Sequence, residues 1–264
     1  MTSNGYLVNM KKFNAYHLSW LAEELHKAKF IDVSNRQFYN WYNSINDGNH
    51  DKPQPEVYLF AAFDELMTIC PNNLFGRVIS LVEDYPTVNW VDAFSRFQIR
   101  SKITAANTLL ATEAEFGDIW IMGGWVGVLP MLLTEKLYPN RYNTIVSYDL
   151  DNIANLAGEK LVNSTRYSAE FKDIYALDYT NFSGTVVNTI CEHLDRFDIW
   201  QNQIPSNTLM LLQSNNMFGV VDDHVNCVSN MDDFVSRLDC KEIIHKETST
   251  YNDQYERYTV LAIK

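Results

Sequence analysis

Residues 119–130 read IWIMGGWVGVLP. Four apolar residues run into Gly123, Gly124 and Gly127, and a second apolar run follows at once. Glycine loses more conformational freedom on folding than any other residue and weakens the interior of a strand or helix. Its concentration at the junction of two hydrophobic segments marks a turn whose backbone something approaches closely. The run before it is short enough for a strand. The run after it has helical texture, with Pro130 in the first turn, where a missing N–H costs little.

The same alternation continues to the end of the chain. NTIVSYD (143–149) reads as a second strand, and NIANLAGEKLVN (152–163) as a helix. SAEFKDIYAL (168–177) holds a weaker third strand, GTVVNTI (184–190) a fourth and NTLMLLQS (207–214) a fifth. CKEIIHKET (240–248) and ERYTVLAIK (256–264) read as a closing strand pair. Strands alternating with helices imply an α/β, Rossmann-like, mostly parallel seven-stranded sheet with helices on both faces.

Upstream the texture is helical. AYHLSWLAEELHKAKF (15–30) spaces Leu18, Leu21 and Leu25 along one helix face. NRQFYNWYNSI (35–45), EVYLFAAFDELMTIC (56–70) and LFGRVISLVEDY (74–85) are further helices. The breaker segment NDGNHDKPQP (46–55) lies between the second and third. Residues 89–116 read as one or two more helices. The expected division is a helical region over 1–116 and a sheet domain over 117–264. FYNWY (38–42) reads as a core stripe rather than a lid, because aromatic residues at helical spacing pack inward.

The chain has 264 residues, a formal net charge of −12 and a pI of about 4.9. An acidic surface repels phosphate backbones, which argues against a nucleic-acid partner. A small-molecule partner is expected instead. No apolar run is long enough to span a bilayer, and the first residues lack the layout of a secretion signal. Cys70, Cys191, Cys227 and Cys240 are scattered, as reduced thiols in a cytoplasm are. The oligomeric state leaves no mark in the sequence.

A glycine turn between the first strand and first helix of such a sheet is a cofactor cradle. GGWVG is neither G-x-G-x-x-G nor a phosphate-binding P-loop. A tight turn with Trp125 packed into the core is the competing reading. The next strand ends in Asp149. An acid about twenty residues beyond the glycines can accept the hydroxyl protons of a ribose. Asp151 suits the N-cap of the helix that follows.

On these residues the stretch 118–264 resembles a class I S-adenosylmethionine-dependent methyltransferase. Gly123, Gly124, Trp125, Val126 and Gly127 correspond to that family's glycine motif, and Asp149 to its ribose-binding acid. FKDIYALDYTNF (171–182) is similar to its acidic segment, which implies that Asp173 or Asp178 meets the adenine amino group. VVNTICEHLD (186–195) is similar to its fourth-strand motif, with Asn188 on the cofactor side. SRFQIRSK (95–102) taken with GGWVG, NTICEHL and LLQSNN resembles uncharacterised phage and bacterial methyltransferase-like proteins. Where the family usually has an acid before its glycines, Ile121 and Met122 stand here, and Trp125 replaces the middle glycine. Lys102 suits the cofactor carboxylate and Gln98 its ammonium group. The competing reading of that segment is a solvated helix face.

Methyl transfer needs an aligned nucleophile and, often, removal of its proton. Glu192 and His193 follow the fourth strand. His224 follows the fifth, after Gln213, Ser214, Asn215 and Asn216. Histidine titrates near neutrality, so His193 or His224 can serve as base. Cys191-x-His193 and His224-x-x-Cys227 offer a tetrahedral donor set, but the spacing does not force convergence, and no metal is expected. The tetrapeptide associated with amino methylation of bases is absent. The expected function is methyl transfer to an oxygen or nitrogen of a small or medium-sized acceptor. Rivals are other S-adenosylmethionine chemistry (aminocarboxypropyl transfer, lyase or hydrolase), a non-catalytic binding module, and a dinucleotide oxidoreductase.

Overall fold

A computed structural model describes residues 13–46, 56–137, 140–251 and 254–264, apart from the side chains of residues 56 and 57. Most of the breaker segment and the first twelve residues lie outside that description. The chain divides into two compact units at Ile99 and Arg100. That boundary falls inside helix α6 (Arg96–Leu110), upstream of the start of the sheet at Gly117.

The first unit is helical. α1 (Ala15–Lys27) begins with a capping box. Asn14 Oδ1 accepts the backbone N–H groups of Tyr16 and His17, and His17 Nδ1 accepts that of Asn14, so orphan amides of the first turn are satisfied. Leu18, Leu21 and Leu25 are fully buried, as their spacing predicts. α2 (Asn35–Ile45) turns Phe38 and Trp41 into the core, and the Trp41 indole donates to Ala62 O at 3.2 Å in α3 (Glu56–Ile69). Phe38 and Trp41 of the aromatic stripe are therefore core, whereas Tyr39 is exposed and Tyr42 half-buried. α4 (Asn73–Asp84) and the short α5 (Trp90–Ala93) complete the unit with the start of α6.

The second unit is built on one seven-stranded sheet: β1 (Gly117–Met122), β2 (Tyr142–Asp149), β3 (Tyr167–Phe171), β4 (Gly184–Asn188), β5 (Leu209–Asn215), β6 (Glu242–Thr250) and β7 (Glu256–Ile263). The spatial order is β3-β2-β1-β4-β5-β7-β6. Strands β1 to β5 pair in parallel, whereas β7 lies antiparallel to both β5 and β6. The sheet is thus mixed, with one antiparallel hairpin at its edge. α7 (Val128–Lys136) and α8 (Asn152–Leu161) provide the first crossovers. α9 (Phe197–Gln203) and α10 (Met231–Ser236) are helices that the sequence pattern does not reveal. Both are too short for a 3.6-residue period to emerge. The N–H of the Trp200 indole in α9 donates to the buried Tyr179 hydroxyl at 3.0 Å, anchoring α9 in the core of the sheet domain.

The chain enters the sheet at its centre, winds outward through β2 and β3, then returns to β4 on the other side of β1. This reversal opens a crevice at the carboxyl ends of β1 and β4, the place where open α/β sheets bind ligands. Met122 and Asn188 face each other across it as the last paired residues of the two strands.

Candidate functional site

The glycine bend leaves β1 at this crevice. Gly123 and Gly127 have φ of +65° and +76°, and Trp125 has φ of +43°. A left-handed backbone is costly for a side chain, on the order of 1–2 kcal/mol. Trp125 therefore carries strain at the position where the resembled family has glycine. What crowds the bend is the protein itself. A Cβ on Gly124 would lie 2.3 Å from Ser147 Cβ in β2, and one on Gly127 would lie 3.0 Å from Gly158 Cα in α8. The glycines let the bend tuck between β2 and α8.

Asp149 closes the bend from the tip of β2. Its Oδ2 accepts the Trp125 N–H and its Oδ1 the Asp151 N–H, both at 2.9 Å. Burial raises its pKa, opposed by those two backbone donors. Each carboxylate oxygen keeps a lone pair, since an ionised carboxylate offers about four acceptor sites. Asp151 caps α8 as expected, accepting from Ile153 and Ala154 at 3.0 Å. Asp173 and Asp178 lie beyond β3 and are exposed. Asp173 caps a 3-10 turn by accepting the Tyr175 N–H, and Asp178 accepts the Thr180 N–H, each at 2.9 Å. The Thr180 contacts hold the Asp178 carboxyl below its usual range.

At the tip of β4, Asn188 is fully buried. Its Oδ1 accepts the Ile190 N–H at 2.9 Å, while its Nδ2 has no hydrogen-bond partner among the described residues. Lys102 Nζ donates to the neighbouring Thr189 hydroxyl at 2.7 Å. Ser101, beside it, is fully buried and donates to Gln213 Oε1 at 2.9 Å, so this part of α6 is not a solvated face. Gln98 belongs to the first unit, where its backbone N–H donates to Ser95 Oγ at 3.3 Å. Ile121 and Met122 both point into the core.

Glu192 and His193 sit in a 3-10 turn, Cys191–His193, just after β4. Glu192 is only 2% exposed. Its Oε1 accepts from Asn215 Nδ2 and from Arg257 Nη1, both at 2.8 Å. Its Oε2 has no hydrogen-bond partner among the described residues. Arg257, equally buried, also donates to Thr189 O and to Gln213 Oε1. Arg257 is a residue that the sequence reading missed. The available signal was a lone arginine in the apolar strand segment ERYTVLAI.

The loop after β5 folds back over the same turn, with the Asn226 N–H donating to Glu192 O at 2.8 Å. His224 comes to rest edge-on against His193, ring centroids 4.6 Å apart. Burial lowers the His224 pKa. Its Nδ1 is buried without a hydrogen-bond partner among the described residues. His193 Nδ1 lies 3.1 Å from the Asp223 carboxylate, another partner missed in the sequence. The two thiols face other groups: Cys191 Sγ donates to Asn188 O and Cys227 Sγ to Asn215 Oδ1. Burial pushes Cys191 well up the scale. The proposed cofactor-side residues other than Gln98, and all three chemistry candidates, therefore lie at the carboxyl ends of strands, on the segments that follow them, or on the α6 segment bonded to them.

No family model and no curated protein matches the chain. Solved structures do. The N-methyltransferase NodS from Bradyrhizobium japonicum in complex with S-adenosyl-L-homocysteine is similar over 72% of this chain and 99% of its own, with 9% identity and a TM-score of 0.51. A SAM-dependent methyltransferase from Leishmania major is similar over 76% of this chain and 91% of its own, with 11% identity and a TM-score of 0.52. The [4+2]-cyclase SpnF is similar over 65% of this chain and 82% of its own, with 9% identity and a TM-score of 0.51. The chain has the class I S-adenosylmethionine-dependent methyltransferase fold. Among the described residues no helix is long and apolar enough to cross a membrane.

Proposed function

We propose that this chain is an S-adenosylmethionine-dependent methyltransferase acting on an oxygen or nitrogen of a small or medium-sized acceptor. The observation that carries the reading is the Asp149 carboxylate, hydrogen-bonded at 2.9 Å to the Trp125 amide of the glycine bend. It sits at the tip of β2, beside the crevice between β1 and β4. There its remaining lone pairs can take two ribose hydroxyls. The donor set suits the rest of the cofactor. Asn188 Nδ2 is a buried donor without an acceptor among the described residues, and Lys102 supplies a cation for a carboxylate at the β4 tip. Asp173 or Asp178 takes the adenine amino group.

When bound, the cofactor supplies an electrophilic methyl group on a sulfonium. The protein's own part is alignment, exclusion of water and proton removal. The Glu192–His193–His224 cluster orients the acceptor or takes its proton. Exposed Phe218, Val220, Val221 and Val225, on the loop that carries His224, offer apolar surface for the body of an acceptor. The free thiols support a reducing compartment.

The [4+2]-cyclase neighbour is reason to test the reaction and not only the binding. Calorimetry with S-adenosylhomocysteine should show binding that Asp149→Asn weakens about tenfold or more, the loss of one charge-assisted hydrogen bond. Methyl-labelled cofactor incubated with candidate acceptors should then leave label in the acceptor. Binding without label transfer would favour a different S-adenosylmethionine reaction. No heat at all would favour a docking module.

A further inference from the structure

We propose that Glu192, His193 and His224 bind a divalent first-row transition-metal ion, with Zn²⁺ as the reference occupant. The three side chains come from two loops, one after β4 and one after β5. Each offers one ligand atom, and these atoms all lie within 4.8 Å of one another. The grouping differs from the cysteine–histidine donor set weighed in the sequence: the histidines converge, the thiols face other groups, and a carboxylate takes their place.

Four features mark a built site. Glu192 is 2% exposed, yet one carboxylate oxygen has no hydrogen-bond partner among the described residues. A buried acceptor left open in this way is costly unless something else fills it. Arg257 and Asn215 both hold the other oxygen, which fixes the carboxylate's orientation. His224 Nδ1 is likewise buried without a hydrogen-bond partner among the described residues. Asp223 meets His193 at Nδ1, which sets the tautomer and leaves Nε2 as the ligand atom, the usual carboxylate–histidine–metal arrangement.

The nearby charges favour a cation. Two carboxylates, Glu192 and Asp223, are set against the single guanidinium of Arg257. Two imidazoles and one carboxylate select zinc or another first-row ion over magnesium or calcium, which prefer all-oxygen sites. Bonds of about 2.0–2.1 Å bring tetrahedral ligand atoms to roughly 3.4 Å apart. Closing from the observed spacing takes about an ångström of movement, within reach of side-chain rotation by the half-buried imidazoles.

Three protein ligands leave a fourth position for an exogenous oxygen or nitrogen. An acceptor held there would lose its proton more easily. In that state the two imidazoles act through the ion rather than as bases. This role rests on the proposed methyl transfer; the site itself does not.

The test is a Co²⁺ titration of the untagged full chain, followed by visible absorption. Saturation at one ion per chain, with displacement by Zn²⁺, is expected. His193→Ala and His224→Ala should each weaken binding at least tenfold, and Asp223→Asn about tenfold. Asp223 is exposed, so that last variant retains the fold and keeps the test decisive if a histidine variant does not. Absence of saturable binding, or unchanged affinity in both Asp223→Asn and the double histidine variant, overturns the proposal. Calorimetry with S-adenosylhomocysteine on metal-free protein reports separately on the methyltransferase reading.

Discussion

Replacing Gly124 by alanine places a Cβ 2.3 Å from Ser147 Cβ and 2.7 Å from its hydroxyl oxygen. Carbon atoms in contact prefer about 3.5–4.0 Å, so the overlap exceeds an ångström. Ser147 has little room to retreat, because β2 is paired on both sides, Ser147 opposite Ile121 in β1 and opposite Ala169 in β3. Overpacking of this kind costs about 1–3 kcal/mol. Ser147→Gly alone loses the hydrogen bond between its hydroxyl and Tyr167, about 1 kcal/mol, and weakens the strand by roughly 0.5–1 kcal/mol more. In the double variant, however, the nearest remaining atom of residue 147 is its Cα, at an ordinary 3.5 Å. The two changes should therefore couple favourably by about 1–3 kcal/mol, with Gly124→Ala nearly free in the Ser147→Gly background. Ser147→Ala is the control: it removes the hydroxyl but keeps the offending Cβ, so it should rescue little. The assay is urea unfolding of the four members of the cycle, compared by midpoint at constant slope. Additivity within about 0.5 kcal/mol, or equal rescue by Ser147→Ala, would refute the view that internal packing fixes the glycine at this bend.

Ribose hydroxyls donate to an ionised carboxylate, and burial raises the pKa of Asp149. Affinity for S-adenosylhomocysteine should thus be full above that raised pKa and fall as pH drops through it. Calorimetry across the acid range would expose the step, and Asp149→Asn should abolish it. Glu192→Gln removes the carboxylate charge facing the buried Arg257 and should destabilise the fold by about 3–5 kcal/mol in thermal or urea melts; a loss under 1 kcal/mol would mean that water reaches the arginine. Cys191 is fully buried and its thiol is pushed up by burial and the neighbouring Glu192 charge. Mass spectrometry after brief maleimide treatment should find Cys240 labelled first and Cys191 only on unfolding.

The order of elements was legible because each long segment carried its own period. β2, α2 and α4 fall within a residue of the expected bounds, since breaker residues or caps frame an amphipathic pattern. The expectation of a mostly parallel sheet with a final hairpin also holds, because the last two strands follow one another without a helix between them. α9 and α10 escaped notice for want of length, and residues 111–116 do not continue the helix expected up to 116. The glycines drew attention for a reason that needs adjusting. Close approach to the backbone is real, but Ser147 and Gly158 make it in this structure, and neither neighbour is visible from local sequence.

The site was less legible than the fold because its decisive contacts are long-range. Glu192 stands beside His193 as a candidate in the sequence, but nothing local shows that β7 delivers Arg257 and β5 delivers Asn215 to the same carboxylate oxygen. Removing both carboxylate and guanidinium from water costs several kcal/mol per ion, which their attraction repays only when the remaining valences are met. Arg257 meets its own through Thr189 and Gln213, but one Glu192 oxygen has no hydrogen-bond partner among the described residues. A purely structural ion pair gains nothing from that vacancy. The carboxylate makes sense as a ligand that Arg257 and Asn215 hold in place through Oε1, the oxygen 4.0 Å from His193 Nε2. The pair then belongs to the function as much as to the stability of the sheet. The proposal that Glu192 and His193 act together rests on these long-range contacts, where the sequence offered only a motif.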